Sequence, residues 1–258
     1  MQYETIRYEV EDGVGVMTLA RPDVMNALST QMRAEILHCV RAAEGAARVL
    51  VMTGEGRAFC SGQDLGDGAS IGSLNIERTL RDEYEPMLRA IFDCPVPTIA
   101  AVNGAAAGAG ANLALACDVV IATESAVFLQ AFTRIGLIPD AGGTYWLPRQ
   151  MGAAKAMGAA LFAEPIPAPQ ASDWGMIWEA VADDRFEEVW RGRATQLAAG
   201  PGIAYRNLKQ AIRGSWDKSL DEQLLAEARL QGEAGRSRDF KEGVMAFMEK
   251  RAANFEGR

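Results

Sequence analysis

Short apolar runs and longer amphipathic stretches alternate through the first half of the chain. Residues 3–10 and 14–20 read as two strands joined by a turn at Asp12-Gly13. Ser29 is placed to cap a helix running to about residue 43. Residues 48–53 (RVLVMT) form a short apolar run that suits a buried strand, and a glycine-punctuated loop follows. An amphipathic helix is predicted over 76–91, and buried strands over 98–102 and 118–122. Between those strands, NGAAAGAGANLALACD predicts a turn leading into a tightly packed helix. Strand and helix in this rhythm imply an α/β protein whose parallel strands are joined by crossovers. From Gly142 onward the pattern is mostly helical, and 219–251 carries no strand signal. The division expected is a mixed core over 1–197 and a helical region over 198–258.

Composition narrows the function classes. The 258 residues are 49% hydrophobic and 23% charged, ordinary for a folded domain. The net charge of −8 argues against broad binding to a nucleic-acid backbone. No run of about 18 apolar residues occurs, so no membrane span is expected. The start carries no basic stretch followed by an apolar one, and the four cysteines (39, 60, 94 and 117) form no CxxC pair. A cytoplasmic protein without disulfides, zinc or any other metal is expected. His38 is the only histidine and sits in a helical stretch, where an incidental role is its simplest reading. Proton chemistry without it must rest on carboxylates, Lys, Tyr or Cys.

Three segments carry candidate chemistry, and each has an ordinary alternative. Residues 58–65 (AFCSGQDL) follow a buried strand and turn at a glycine, so their N–H groups can be left pointing at a ligand; they could equally be a plain loop. Residues 103–112 (NGAAAGAGAN) are small and start a helix, which offers free donors to a carbonyl or serves close packing alone. In 135–144 (IGLIPDAGGT), Asp140 lies between apolar residues and a glycine turn. Burial would raise its pKa toward neutrality, whereas an N-cap needs only its hydrogen bonds.

Taken together, in this order and spacing, the three segments resemble the crotonase superfamily of enoyl-CoA hydratases and isomerases. The resemblance runs from Leu19-Ala20-Arg21-Pro22 and Asn26-Ala27-Leu28 to Phe247-Met248-Glu249-Lys250-Arg251. It implies a spiral of ββα units followed by C-terminal helices that mediate trimer formation. It also implies an oxyanion hole made by the backbone N–H groups of Gln63 and Ala109. For the coenzyme A thioester it points to Arg21, Ala27, Leu28, Ser61, Gly62, Asp64, Leu65, Gly108 and Lys250. Asp64 is expected to stabilise its loop, and residues 66–73 to form a lid over the acyl site. The hydratases' two catalytic glutamates match Asn112 and Phe132 here, and neither can act as a base. Asn112 is expected to face the pocket. Asp140 stands where the hydratases usually have glycine.

Residues 130–149, with GAGANLALACD and ASDWGMIW, are most similar to the branch that isomerises the ring epoxide of phenylacetyl-CoA. The function this implies is an acyl-CoA isomerase acting through a thioester enolate and one aspartate. It would convert 2-(1,2-epoxyphenyl)acetyl-CoA to its oxepin, or 3-enoyl-CoA to 2-enoyl-CoA. No cofactor beyond the substrate's coenzyme A is expected, and the assembly expected is a homotrimer or a dimer of trimers. An enoyl-CoA hydratase and a non-catalytic binder of coenzyme A or of a partner chain are the alternatives.

Overall fold

Asp12 and Gly13 both adopt left-handed backbone, with φ of 49° and 78°. The turn they make pairs β1 (Ile6–Glu11) antiparallel with β2 (Val14–Leu19). The structure, a computed structural model, describes residues 3–66 and 75–257. Four further strands, β3 (Val49–Gly54), β5 (Thr98–Val102), β7 (Val119–Thr123) and β10 (Glu179–Val181), extend the sheet in parallel, in the order β1-β2-β3-β5-β7-β10. The short strands β4 (Ala58–Cys60), β6 (Ala105–Ala107), β8 (Val127–Leu129) and β9 (Ile166–Pro167) form a second sheet in that order. The three middle turns, β3–β4, β5–β6 and β7–β8, each give one strand to each sheet before a helix carries the chain onward. This is the spiral of ββα units expected from the sequence.

The second sheet was not legible as strands. Its members are two or three residues long, too short to show the alternation that marks a strand. Two strands, β9 and β10, also interrupt the region after Gly142 that reads as helical. Helix α1 (Thr30–Ala46) begins at the Ser29 cap, which accepts a hydrogen bond from the Met32 N–H. The helix expected over 76–91 is not one regular element. It divides into α2 (Ile76–Thr79), a π-helical turn over Leu80–Tyr84, and α3 (Glu85–Asp93). Pro86 explains the break: it has no N–H to give the preceding turn, and its ring crowds the carbonyl four residues back. The lid expected over 66–73 lies, beyond Gly66, outside the described residues.

Strand β3 shows how the layers are built. Leu50 and Met52 point into the main core with Met17, Leu19, Met32 and Ile36 of β2 and α1. Val49 and Val51 point to the opposite face, against Trp190 and Ala194 of α8 (Phe186–Ala198). With both faces covered, the apolar run needs no polar alternation. Short helices α4 (Ala109–Leu115), α5 (Gly143–Met151), α6 (Ala153–Phe162) and α7 (Ala168–Asp173) fill the ends of the spiral. Helices α9 (Gly202–Arg213), α10 (Leu220–Ala234) and α11 (Arg238–Glu249) close the chain.

One buried cluster ties α9 to the core. Asp118, at the head of β7, pairs with Lys209 and Arg213, each at 2.7 Å. The same carboxylate accepts from the Thr98 N–H at 2.7 Å and hydroxyl at 2.9 Å. The three charged side chains are only 10–16% exposed. Asp118→Ala would remove the counter-charge of two mostly buried cations and the acceptor of the Thr98 amide, a loss on the order of 3–5 kcal/mol. A urea denaturation series should show the midpoint falling accordingly; a midpoint within error of wild type would remove this cluster from the account of stability.

Candidate active site

Gly62 (φ 96°) turns the chain after β4 and lets it lie against β6. A Cβ at Gly62 would stand 2.8 Å from the Ala107 carbonyl and 3.4 Å from the Ala109 nitrogen. Across the loop, Leu28 N–H donates to Gly62 C=O at 2.8 Å, and Asp64 N–H donates to Leu28 C=O at 3.3 Å. Residue 63 lies between these two bonds, so its own N–H points the other way. Ala109 is the first residue of α4 and has no intrahelical acceptor. Among the described residues neither N–H donates a hydrogen bond within the chain. The two predicted donors therefore stand free on adjacent segments.

The Gln63 side chain is turned into the protein. Its Oε1 accepts from the Tyr84 hydroxyl and from Arg33 Nη1 at 3.2 Å, and its Nε2 donates to the Asp64 carbonyl at 3.2 Å. Arg33 is buried, paired with Glu83, and lies over the Tyr84 ring at 4.8 Å. Burial pushes the Tyr84 phenol above its usual range, so it stays a neutral donor. Arg33 and Tyr84 were not among the sequence candidates, because each reads as one more residue of an amphipathic helix.

Asp140 sits between a 3₁₀ turn (Ala131–Ile135) and α5. It does not cap that helix: the N-cap is Gly142, with no side-chain bond. The Asp140 Oδ1 is buried without a hydrogen-bond partner. Burial pushes the carboxyl up from 3.8 to about 6. It faces a cavity of about 970 Å³ whose wall also carries Tyr84, Leu88, Phe92, Tyr145 and Trp146. Trp146 packs against Phe92 and Tyr145 with ring centroids 5.3 and 4.8 Å away. Three other carboxylates on that wall, Glu85, Asp93 and Asp217, are exposed. Gln63 and Ala109 lie outside the wall, linked to it through the bond from Tyr84 to Gln63.

The remaining candidates divide. Phe132 is buried, with its ring 3.7 Å from where a Gly108 Cβ would be. Gly108 caps α4 and donates its N–H to Leu129 at 2.8 Å. Ser61 is partly exposed, and Leu65 is fully at the surface. Arg21 is held at home: Nη1 donates to the Ala27 carbonyl at 2.6 Å and pairs with Asp64 at 2.7 Å. Asp64 accepts in addition from Gly66 N–H at 2.9 Å, the loop-stabilising use expected of it. The Leu28 carbonyl is occupied by Arg33 and by Asp64 N–H. Lys250 is the exposed C-cap of α11, away from this cavity. Asn112 departs from expectation. It is fully buried, with one end of its amide on the Asp140 carbonyl and the other on Gln130, so it does not face the pocket. Among the described residues no cluster of His, Cys, Asp or Glu could hold a metal ion, and no helix is long and apolar enough to cross a membrane.

Comparison with known proteins decides the family. The family model for enoyl-CoA hydratase/isomerase matches residues 9–258. The chain belongs to the enoyl-CoA hydratase/isomerase family. Within it, the chain is 62% identical over 258 residues to a probable enoyl-CoA hydratase of Rhodobacter capsulatus, covering 100% of both. It is 43% identical over 265 residues to the 1,2-epoxyphenylacetyl-CoA isomerase of Escherichia coli, covering 99% of each. Among solved family structures, enoyl-CoA hydratase from Bacillus anthracis superposes with a TM-score of 0.91 at 31% identity, over 99% of this chain and 100% of that one.

The raised pKa of Asp140 carries a stability consequence. Its folded-state value lies above the ordinary one, so the folded chain holds this proton more tightly than the unfolded chain does. That contribution is fully present below about pH 4 and is lost as pH rises through about 6. Asp140→Asn should therefore be the more stable protein at pH 7–8, by about 1–2 kcal/mol after allowing for partial solvent access. The gap should close near pH 4. Chemical denaturation at several pH values checks this, and a variant less stable than wild type at pH 8 would contradict the burial argument.

Proposed function

We propose that the protein is an acyl-CoA isomerase that forms a thioester enolate and moves one proton with Asp140. The single observation that carries this reading is the Asp140 carboxylate: buried, without a partner on Oδ1, and with its pKa raised to about 6 in an aromatic-walled cavity. A cap or a structural ion pair would show the opposite, a satisfied carboxylate with a lowered pKa. The thioester carbonyl would take the two N–H groups of Gln63 and Ala109. Each such donor is worth roughly 3–4 kcal/mol where charge develops on oxygen. Asp140 would remove the C2 proton. With a 3-enoyl thioester it would return that proton to C4, shifting the double bond. With a ring epoxide, the electrons released at C2 would open the strained ring toward the oxepin, and Asp140 would give the proton back to the rearranged product. A carboxyl with a pKa of about 6 serves both steps, since it is basic enough to accept and acidic enough to return the proton.

The resemblance to the Escherichia coli isomerase supports the ring-epoxide substrate, as does the Phe92–Trp146–Tyr145 wall. The Rhodobacter capsulatus relative's name favours a second reading, hydration of 2-enoyl-CoA. Against it, the two positions matched to the hydratases' glutamates hold Asn112 and Phe132, both buried. Proton exchange at C2 of phenylacetyl-CoA or a 3-enoyl-CoA in heavy water separates the readings. Wild type should exchange, with kcat/KM falling below about pH 6. Asp140→Asn should lose about 10²–10⁴-fold while keeping acyl-CoA affinity. Crotonyl-CoA should not be hydrated; efficient hydration, or exchange that survives Asp140→Asn, would defeat the proposal.

We also propose a homotrimer, or a dimer of trimers, built on the C-terminal helices. Leu208, Ile212, Leu224, Phe247 and Met248 stand exposed on α9–α11 in the single chain, apolar side chains that a subunit interface would cover. Light scattering should give a mass of three or six chains. A monomer at micromolar concentration would refute the assembly.

A further inference from the structure

The mechanism leaves one buried polar pair unused, Asn112 and Gln130, which are 0% and 1% exposed. The Asp140 carbonyl can only accept, so the amide end facing it at 2.7 Å must be Asn112 Nδ2. That choice turns Asn112 Oδ1 toward Gln130, whose Nε2 donates to it at 2.9 Å. The Asp140 carbonyl takes a second bond from Gly143 N–H at 2.8 Å. Gly143 leaves the room Asn112 needs, since a Cβ there would lie 2.5 Å from Nδ2.

The turn held in this way is one the chain does not prefer. Ala141 and Gly142 are successive left-handed residues, with φ of 48° and 81°. An alanine in that region costs about 1–2 kcal/mol, so outside contacts must hold it. Asp140 has no bond on Oδ1 to fix its own position. Asn112 also stands on α4 three residues after Ala109, on the next turn of the same helix. One short rigid element therefore carries an oxyanion donor at its first residue and grips the base's backbone one turn later.

We infer that Asn112, braced by Gln130, is a positioning residue: it fixes the Asp140 turn relative to the Ala109 N–H and keeps the carboxylate buried in the cavity. This inference rests on the reading of Asp140 as the base. Its consequence is that the spacing between the enolate oxygen and the base is set through α4 and not by the surface loop that holds Asp140. A change at Asn112 should alter the proton-transfer step and leave acyl-CoA binding alone.

The test tracks the titration of Asp140, in ¹³C-aspartate-labelled protein assigned with Asp140→Asn, beside steady-state isomerisation of a 3-enoyl-CoA. Asn112→Ala should let water reach the turn, so Asp140 titrates below about 6. Its kcat should fall about tenfold to 100-fold with KM changed less than about threefold. Asn112→Leu fills the same space but donates nothing to the Asp140 carbonyl, so Asp140 should titrate below about 6 there too. Gln130→Ala, a milder change if Asn112→Ala folds poorly, should move the titration in the same direction as Asn112→Ala. A shift in the Leu variant, where the packing volume is kept, is something a residue that only fills space would not produce. Asp140 titrating as in wild type in all three variants, or kcat falling only with the folded fraction, would overturn the inference. Exchange surviving in Asp140→Asn would instead strike the isomerase reading, and the titration shifts would still decide the positioning role.

Discussion

At Gly110 the backbone of α4 presses against the carbonyl of Cys60 at the end of β4, so closely that any Cβ there would overlap it. That contact fixes where α4 begins, and hence where the Ala109 N–H stands relative to the N–H of Gln63. It also fixes Asn112 one turn further along, and through Asn112 the carbonyl of Asp140. The small residues of 103–112 therefore serve close packing and free donors at once. The two readings open at the sequence level are one arrangement: the packing places the donors.

The rest of the molecule supplies rigidity around that contact. The second sheet holds β4, β6 and β8 side by side, and the spiral brings loops that are far apart in sequence together. The Asp118 cluster draws α9 against the core, which lets a C-terminal helix form one side of the cavity. Arg33 and Tyr84 brace the side chain of Gln63, so its backbone amide is held without help from solvent. Against this background Asp140 is the exception. Among the described residues it is the one carboxylate with a buried oxygen that has no partner, and the proposed reaction would use that group to move its proton.

The family relation sharpens what is specific to this chain. Related proteins carry names for hydration and for isomerisation, and the fold is common to both. A fold that presents two backbone donors to a carbonyl stabilises an enolate in either reaction. The choice between the two depends on which carboxylates reach the acyl group. Here the positions matched to the hydratases' glutamates hold a phenyl ring and a buried amide, and the carboxylate of the proposed reaction, Asp140, stands on a different loop.

The sequence by itself determined the long parallel strands, the Ser29 cap, the Asp12-Gly13 turn and the three segments of the candidate site. Those signals are local: apolar runs, a cap and left-handed turn residues act within a few positions of themselves. The special character of Asp140 was legible only as a carboxylate among apolar neighbours, compatible with a cap. Tertiary structure decided that it does not cap, because burial and an unbonded oxygen come from elements distant in sequence. It likewise decided the direction of Asn112, since an amide on a helix points to pocket or protein according to what packs beside it. The second sheet, the break at Pro86 and the roles of Arg33, Tyr84 and Gln130 were settled at the same level. Two- and three-residue strands and single buried polar side chains have no periodicity of their own, and only their partners across the fold give them a role.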